Sequence, residues 1–298
     1  LGLGYDHLSK INPGLVYASI TGYGDSEDLS GPYSDRPANN LAIQAMSGWM
    51  EITGDPDGPP QSVGDNIGDS IPGVWTALGI VLALETRRKT GRGQYVDMAM
   101  YECMVSHIES NMNSFQATGD NPARSRDRLA TAGITFRAKD GYCVLAGVRT
   151  ESRMRDLWKL VGRKDLLEGD ARYLAGPGMD GQFYFEHIIP AIEGWSSEIP
   201  KFEVAAKLTE IGFSMGVTQT VADLAQCPQL EARQMFVDTG DTLGGTFRGV
   251  RTPARLTACV ESPAETAPTL GQHNAEVLCT LGGMTADEVS ELEAEGAL

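Results

Sequence analysis

An α/β fold is predicted by three stretches of sequence. The run LVYASIT (15–21) is β-branched and aromatic and ends in GYG, the pattern of a buried strand followed by a loop. A long apolar run (71–84) then closes on RRKTG, turns through GRGQ and enters a second strand signal, YVDMAM (95–100). A further strand and helix pair follows in GYCVLAGV (141–148) and ESRMRDLWKLVG (151–162). Strand and helix signals that alternate in this way call for helices layered on a sheet.

Composition fits such a core. With 298 residues, 41% of them hydrophobic, the chain can bury a sizeable interior or divide into two domains. No run of about eighteen uncharged apolar residues is present and the N-terminus LGLGYDHLSK lacks a basic-then-apolar pattern, so a cytoplasmic protein without a membrane segment is expected. A net charge of −16 opposes a broad nucleic-acid surface, because duplex binding depends on neutralising phosphates. Cys103, Cys143, Cys227, Cys259 and Cys279 are odd in number and form no CxxC pair, and the four histidines lack HExxH spacing. Reduced thiols are expected, and no metal site.

The elements follow in order. After the first strand a polar, Gly/Pro-rich passage runs to Gly68, broken by LAIQAMSGWM (41–50), whose apolar residues recur at helical spacing. From Ile71 to Leu84 almost no polar face is left, which predicts a helix buried on most sides. Arg87, Arg88 and Lys89 suit the negative end of its macrodipole, and Gly91 suits a left-handed stop. A helix is expected over 101–115, a turn-rich linker over 118–128, and a small α/β domain over 129–225 that includes a helix at FEVAAKLTEIG. The last part holds PQLEARQMF, a turn-rich GDTLGGTFRGVRTP and a terminal helix in which Thr285 and Glu288 have capping-box spacing.

Two aspartates, Asp65 and Asp69, stand at the mouth of the apolar helix. Asp69 lies where an N-cap would, with Pro72 near the first turn, and as a cap it would contribute about 0.5–2 kcal/mol. The second reading is chemical. A carboxylate held ionised by the helix dipole and free backbone N–H groups, yet desolvated by apolar walls, can attack an acyl group.

The stretches YASITGYG, DRPANNLAIQAMSGWMEITGDPDGPP, VGDNIGDSIPGVWTALGIVLAL and RRKTGRGQYVDMAMYE, in this order, resemble the family III CoA-transferases. That family includes formyl-CoA transferase, the carnitine CoA-transferase group and the α-methylacyl-CoA racemases. The resemblance is strongest over residues 1–102, and PQLEARQMF and APTLGQHNAEVL resemble its C-terminal signatures.

The resemblance implies a Rossmann-like large domain built from both ends of the chain (1–128 and 226–298), an inserted small domain (129–225), and two interlocked copies. It places the family's catalytic aspartate on Asp69, with Asp65 as a loop residue. The implied activity is acyl-CoA:carboxylate CoA transfer through aspartyl mixed-anhydride and aspartyl-CoA thioester intermediates. Acyl-CoA and a small carboxylic acid are then substrates, with no permanently bound cofactor and no metal.

Thr21, Gly22 and Tyr23 match a segment that approaches CoA; they also read as a strand-ending turn. Asn39 and Asn40 stand where many members have an aromatic or histidine followed by an acidic residue. They read either as hydrogen-bond partners of the thioester or carboxylate, or as loop residues. An amide at position 39 does not shuttle protons at neutral pH, which counts against racemase chemistry. Gln44 is motif-matched or packs within its helix, and Glu102 reads as a cap or an ion-pair partner.

Two departures from the family pattern stand out. RDRLATAGIT has no glycine run of the kind formyl-CoA transferase carries at the start of its small domain. The sequence also opens beyond the family's first βαβ unit, so a fragment completed by a separate N-terminal chain, or a truncated protein, is a further expectation, and the alternatives to CoA transfer are a 2-methylacyl-CoA racemase of the same family or a CoA-binding subunit without activity of its own.

Overall fold

The computed structural model of the chain describes residues 2–122, 124–147, 149–175, 180–242, 245–259 and 267–298. Helix α1 (Tyr5–Ile11) leads into β1 (Val16–Thr21), which pairs in parallel with β2 (Gln94–Ala99). Parallel neighbours need a crossover. Between these strands it is supplied by α2 (Asn40–Met46) and by α3 (Ile67–Thr90), the latter packing on both strands. Tyr17 and Tyr95 face one another in register and stack at 5.7 Å, and Tyr5 of α1 closes the cluster.

Small residues let α3 lie close to the sheet. A Cβ at Gly79 would come within 2.9 Å of Val96 Cγ1, and Gly68, Pro72, Thr76 and Ala83 are buried on the helix. The C-terminus follows expectation: Gly91 adopts φ 74°, its N–H bonds the Arg87 carbonyl at 2.8 Å, and three cations occupy the last turn. Arg87 also reaches back to the Gly14 carbonyl at 3.1 Å.

The expectation of a helix buried on most sides is corrected. Val74, Val81 and Leu82 are 72%, 60% and 59% exposed, and Trp75, Leu78 and Leu84 are also exposed. Apolarity all round predicts burial, yet here the buried positions of the helix are Gly68, Pro72, Thr76 and Ala83, and the larger apolar residues are exposed or half-buried. Among the described residues α3 is the single helix long and apolar enough to cross a bilayer. Counting uncharged runs passes over it; its packing on β1 and β2 makes it a sheet crossover.

The helix expected over 101–115 is two, α4 (Met100–Ser106) and α5 (Glu109–Thr118), with a break at His107 and Ile108. The expected linker over 118–128 is also corrected: Gly119 caps α5 at φ 77° and α6 (Arg126–Ala132) begins inside it. Within it Arg124, its side chain 11% exposed, donates to the carbonyls of Met50, Glu51 and Gly58. A guanidinium spends several donors at once on such a loop.

A three-stranded antiparallel sheet follows, in the order β3 (Gly133–Ala138), β4 (Gly141–Ala146), β5 (Ser214–Val217). Helix α7 (Glu151–Leu160), capped by Thr150, the helical run α8 (Gly181–Phe183), a π turn (Tyr184–Ile188) and α9 (Ile189–Ser196), and α10 (Lys201–Glu210) accompany it. Phe136, Leu145, Leu157, Trp158, Ile192 and Leu208 are all fully buried in one cluster that runs from Ala130 to Phe213. β3, β5 and the 181–196 helices are additions to the sequence reading.

These elements belong to one unit, Leu1–Thr218; Gln219–Leu298 forms a second. It contains α11 (Val221–Ala225), α12 (Pro228–Ala232), the antiparallel pair β6 (Phe236–Thr242) and β7 (Gly245–Val250), α13 (Asn274–Thr280) and α14 (Ala286–Ala294). The turn-rich reading of GDTLGGTFRGVRTP is thus corrected over its described residues to antiparallel paired backbone. Both bonds of the Thr285/Glu288 capping box form.

Trp158 fills the centre of the small-sheet core and donates its indole N–H to the Tyr173 carbonyl at 2.8 Å. Trp158→Ala should lower unfolding stability by about 3–5 kcal/mol, read as an earlier denaturation midpoint in urea.

Candidate active site

The turn after β1 is braced from several sides. Thr21 Oγ1 accepts the Gly24 N–H at 2.9 Å, and the Asp97 carboxylate on β2 accepts the N–H groups of Asp25 (3.4 Å) and Ser26 (3.1 Å). Asp25 in turn accepts from Ser19 Oγ at 3.0 Å and from the Tyr95 hydroxyl. Partial burial and the Asp25 hydrogen bond push the Tyr95 phenol up to about 12, so this hydroxyl is a donor throughout the neutral range. Tyr23 packs its ring against Tyr33 and Tyr101, and the Arg36 guanidinium lies 4.1 Å over Tyr33.

Gly22 presses on the next stretch of chain. A Cβ there would sit 2.3 Å from Ala38 Cβ, so no larger residue fits without moving backbone. That contact sets Thr21, Gly22 and Tyr23 beside the start of α2, where Asn39 and Asn40 lie. Asn39 is the N-cap of α2, its Oδ1 accepting the Ala42 N–H at 3.0 Å. Asn-type caps satisfy one of the orphan donors of a first turn.

Asn40 works on a different helix. Its Oδ1 accepts the Gly68 N–H of α3 at 2.9 Å, and its Nδ2 donates to Asn66 Oδ1 at 3.2 Å. Gly68 has no room for a side chain, since a Cβ would come within 2.8 Å of the Asn40 carbonyl oxygen. Gln44, one turn further along α2, is fully buried. Its Nε2 donates to Asn40 Oδ1 (2.9 Å) and to the Asp65 carbonyl (3.4 Å), while its Oε1 accepts the Val63 N–H (2.9 Å). Asn40 and Gln44 are therefore neither free loop groups nor passive packing.

Asp69 is the third residue of α3, whose N-cap is Asn66. The reading of Asp69 as N-cap is corrected, because the helix starts at Ile67 and Pro72 is its sixth residue. The expected free N–H groups are also corrected: those of Ile67, Gly68, Asp69 and Ser70 bond to Asp65 O, Asn40 Oδ1, Asn66 O and Asn66 O respectively. Nor is the carboxylate desolvated, for Asp69 is exposed. Among the described residues no group donates a hydrogen bond to it. It remains in the first turn, where the macrodipole favours negative charge.

Asp65 is a loop residue, its Oδ1 accepting the Asn66 N–H at 2.7 Å. Glu102 sits exposed in the first turn of α4 and, among the described residues, neither caps nor pairs, which corrects that reading. Burial pushes the Cys103 thiol up and the Cys143 thiol up to about 11, which leaves them protonated and poor as nucleophiles. All five cysteines are free, and among the described residues no group of three His, Cys, Asp or Glu is placed to hold a metal ion. The bracing roles of Asp97 and Arg124 were missed; an acidic residue inside an apolar strand, YVDMAM, is the signal that could have exposed the first.

Parallel strands joined by an apolar crossover helix, with an unbonded carboxylate in its first turn and an amide pair holding that turn, define an α/β protein with its candidate site at a helix mouth. Residues 1–274 match the family described as CoA-transferase family III, and the chain belongs to that family. A succinyl-CoA–D-citramalate CoA-transferase of Chloroflexus aurantiacus is 30% identical over 297 residues, 99% of this chain and 72% of that one. A succinyl-CoA:mesaconate CoA-transferase of Haloarcula hispanica is 34% identical over 286 residues, 94% of this chain and 69% of that one. Among solved structures, that of a CAIB/BAIF family protein from Brucella suis is similar with a TM-score of 0.82 and 31% identity, covering 94% of this chain and 71% of that one.

Gly68→Ala should separate α2 from the first turn of α3, because its Cβ meets the Asn40 backbone oxygen and Cα as well as the side-chain oxygen that bonds this turn. A loss of about 1–3 kcal/mol is expected in a chemical denaturation series, with wild-type secondary structure by circular dichroism.

Proposed function

We propose that the protein transfers CoA from an acyl-CoA to a free carboxylate through Asp69. The chain's family and its relatives support the reaction class. The observation that carries the assignment is the Asp69 carboxylate itself, exposed, free of hydrogen bonds among the described residues, and fixed in the first turn of α3. A carboxylate already occupied as a cap would have to break that bond before attacking; this one does not.

In the proposed sequence an Asp69 oxygen attacks the thioester carbonyl. The C–S bond breaks, leaving an aspartyl mixed anhydride and CoA thiolate. The thiolate then attacks the aspartyl carbonyl, giving an Asp69–CoA thioester and releasing the donor acid as carboxylate. An acceptor carboxylate displaces the thiolate in its turn, and the thiolate takes the new acyl group, restoring Asp69. Each step exchanges one nucleophile for one leaving group, which is how covalent catalysis divides a hard transfer.

Asn39 presents an exposed amide whose Oδ1 is used in capping and whose nitrogen is directed by that cap, which suits donation to the thioester carbonyl. Thr21, Gly22 and Tyr23 lie across the Gly22 to Ala38 contact from it and are proposed to flank the CoA chain. Asn40 is proposed to act on the site by holding its turn, since its Oδ1 already accepts two bonds. Succinyl-CoA is the donor proposed for trial, because relatives at 30% and 34% identity are named for it. A cytoplasmic location and a homodimer complete the reading, the latter supported by the exposed apolar residues of α3.

With succinyl-CoA and mesaconate, Asp69→Asn and Asp69→Ala should lose CoA exchange by about 10³-fold or more. Hydroxylamine added to the working enzyme should mark residue 69 as a hydroxamate in a peptide mass spectrum. Exchange at the parental rate in either variant would end the assignment. Light scattering after size exclusion should give twice the chain mass, and a monomer mass would remove the dimer from the proposal.

A further inference from the structure

The polar network beside Asp69 has one member whose own side chain is out of a substrate's reach. Gln44 is fully buried, yet its amide spends both ends on the segment leading to the site. The oxygen takes Val63 N–H, and the nitrogen reaches Asp65 O and Asn40 Oδ1. Asn40 carries the chain of bonds on to Gly68 N–H and Asn66 Oδ1. The loop 63–68 is thus held at four of its groups by two amides that stand one helical turn apart on α2, the spacing that puts side chains on one face.

We propose that Gln44 is a positioning residue for Asp69: it locks Asn40 and the 63–68 loop together, and so sets the place and tilt of the α3 first turn from which the carboxylate projects. This inference rests on the reading of Asp69 given above. The chemistry of the side chain is specific. Asn40 Oδ1 and Asp65 O each accept from this amide in addition to a backbone N–H, and Val63 N–H donates to it, so the position uses a group that is both donor and acceptor. A carboxylate supplies no donor and brings a charge into a fully buried space; an apolar chain supplies neither. Asn40 meets a parallel demand, accepting at Oδ1 and donating at Nδ2. An acidic residue there would also set a second negative charge beside the turn that bears Asp69.

Displacement of a reacting group by about 1 Å costs roughly 10²-fold in rate. In Gln44→Met, of similar length and without hydrogen bonds, kcat for CoA exchange should fall by about that factor while KM changes little. Amide hydrogen exchange at Val63 and Gly68 should quicken in the same variant, and that readout needs no activity. Gln44→Glu gives a second arm. Burial raises a carboxyl pKa, and the protonated acid has one donor and one acceptor in the places that Gln44 uses. Its kcat relative to the parent should recover as pH falls from about 8 to about 5.5.

Unchanged kcat in both variants, or unchanged exchange at Val63 and Gly68 in Gln44→Met, overturns the proposal. So does a loss of kcat in Gln44→Glu that is the same at every pH and tracks a fall in melting temperature, since that is the mark of a merely structural residue. Asp69→Asn is measured alongside. If it keeps parental activity the nucleophile assignment fails, whereas an inactive Asp69→Asn with a fully active Gln44→Met fails the positioning role alone.

Discussion

One hydrogen bond between two helices governs the site: the Asn40 side-chain oxygen on the Gly68 N–H. A helix start leaves four donors without partners, and α3 fills its second helical position from α2 and not from its own N-cap, Asn66, whose side chain makes no cap bond. The arrangement demands a glycine at 68, because the same approach that brings the amide into range leaves no space for a Cβ. The first turn of α3 is then defined by α2, and α2 by the Gly22 to Ala38 contact with the end of β1. Strand end, amide pair and carboxylate form a single chain of contacts.

The same economy of small residues shapes the other side of α3. Pro72, Thr76 and Ala83 are buried, Gly79 lies against Val96 of β2, and Val74, Trp75, Leu78, Val81, Leu82 and Leu84 are left outward. Trp75 donates its indole N–H to His107 Nε2 at 2.9 Å, which orders one edge of this outward face.

How much was legible in the sequence follows from how local each signal is. β1, β2, α7 and the end of α3 announce themselves through composition, a cap or Gly91, all within a few residues. The Thr285/Glu288 box is equally local. β3 is hard to see although Ile134, Phe136 and Ala138 point inward and Thr135 and Arg137 outward, because five residues of alternation are weak beside the polar stretch before them. The start of α3 is hidden for a different reason: its N-cap Asn66 makes no side-chain cap bond, and the Gly68 N–H is satisfied by a residue 28 positions away. The setting of Asp69 is the least legible part: the apolarity of its neighbours implies a dry niche, whereas Val74, Trp75 and Leu78 face outward and Asp69 is exposed.

α3 is fastened at both ends. Asn40 grips its second residue, and Arg87, in its last turn, grips the Gly14 carbonyl just before β1. Over 24 residues, about 36 Å of rise, a shift of the helix along its own axis would have to break both of these bonds. The turn that bears Asp69 is in this way moored to α2 at one end of the rod and to the segment before β1 at the other.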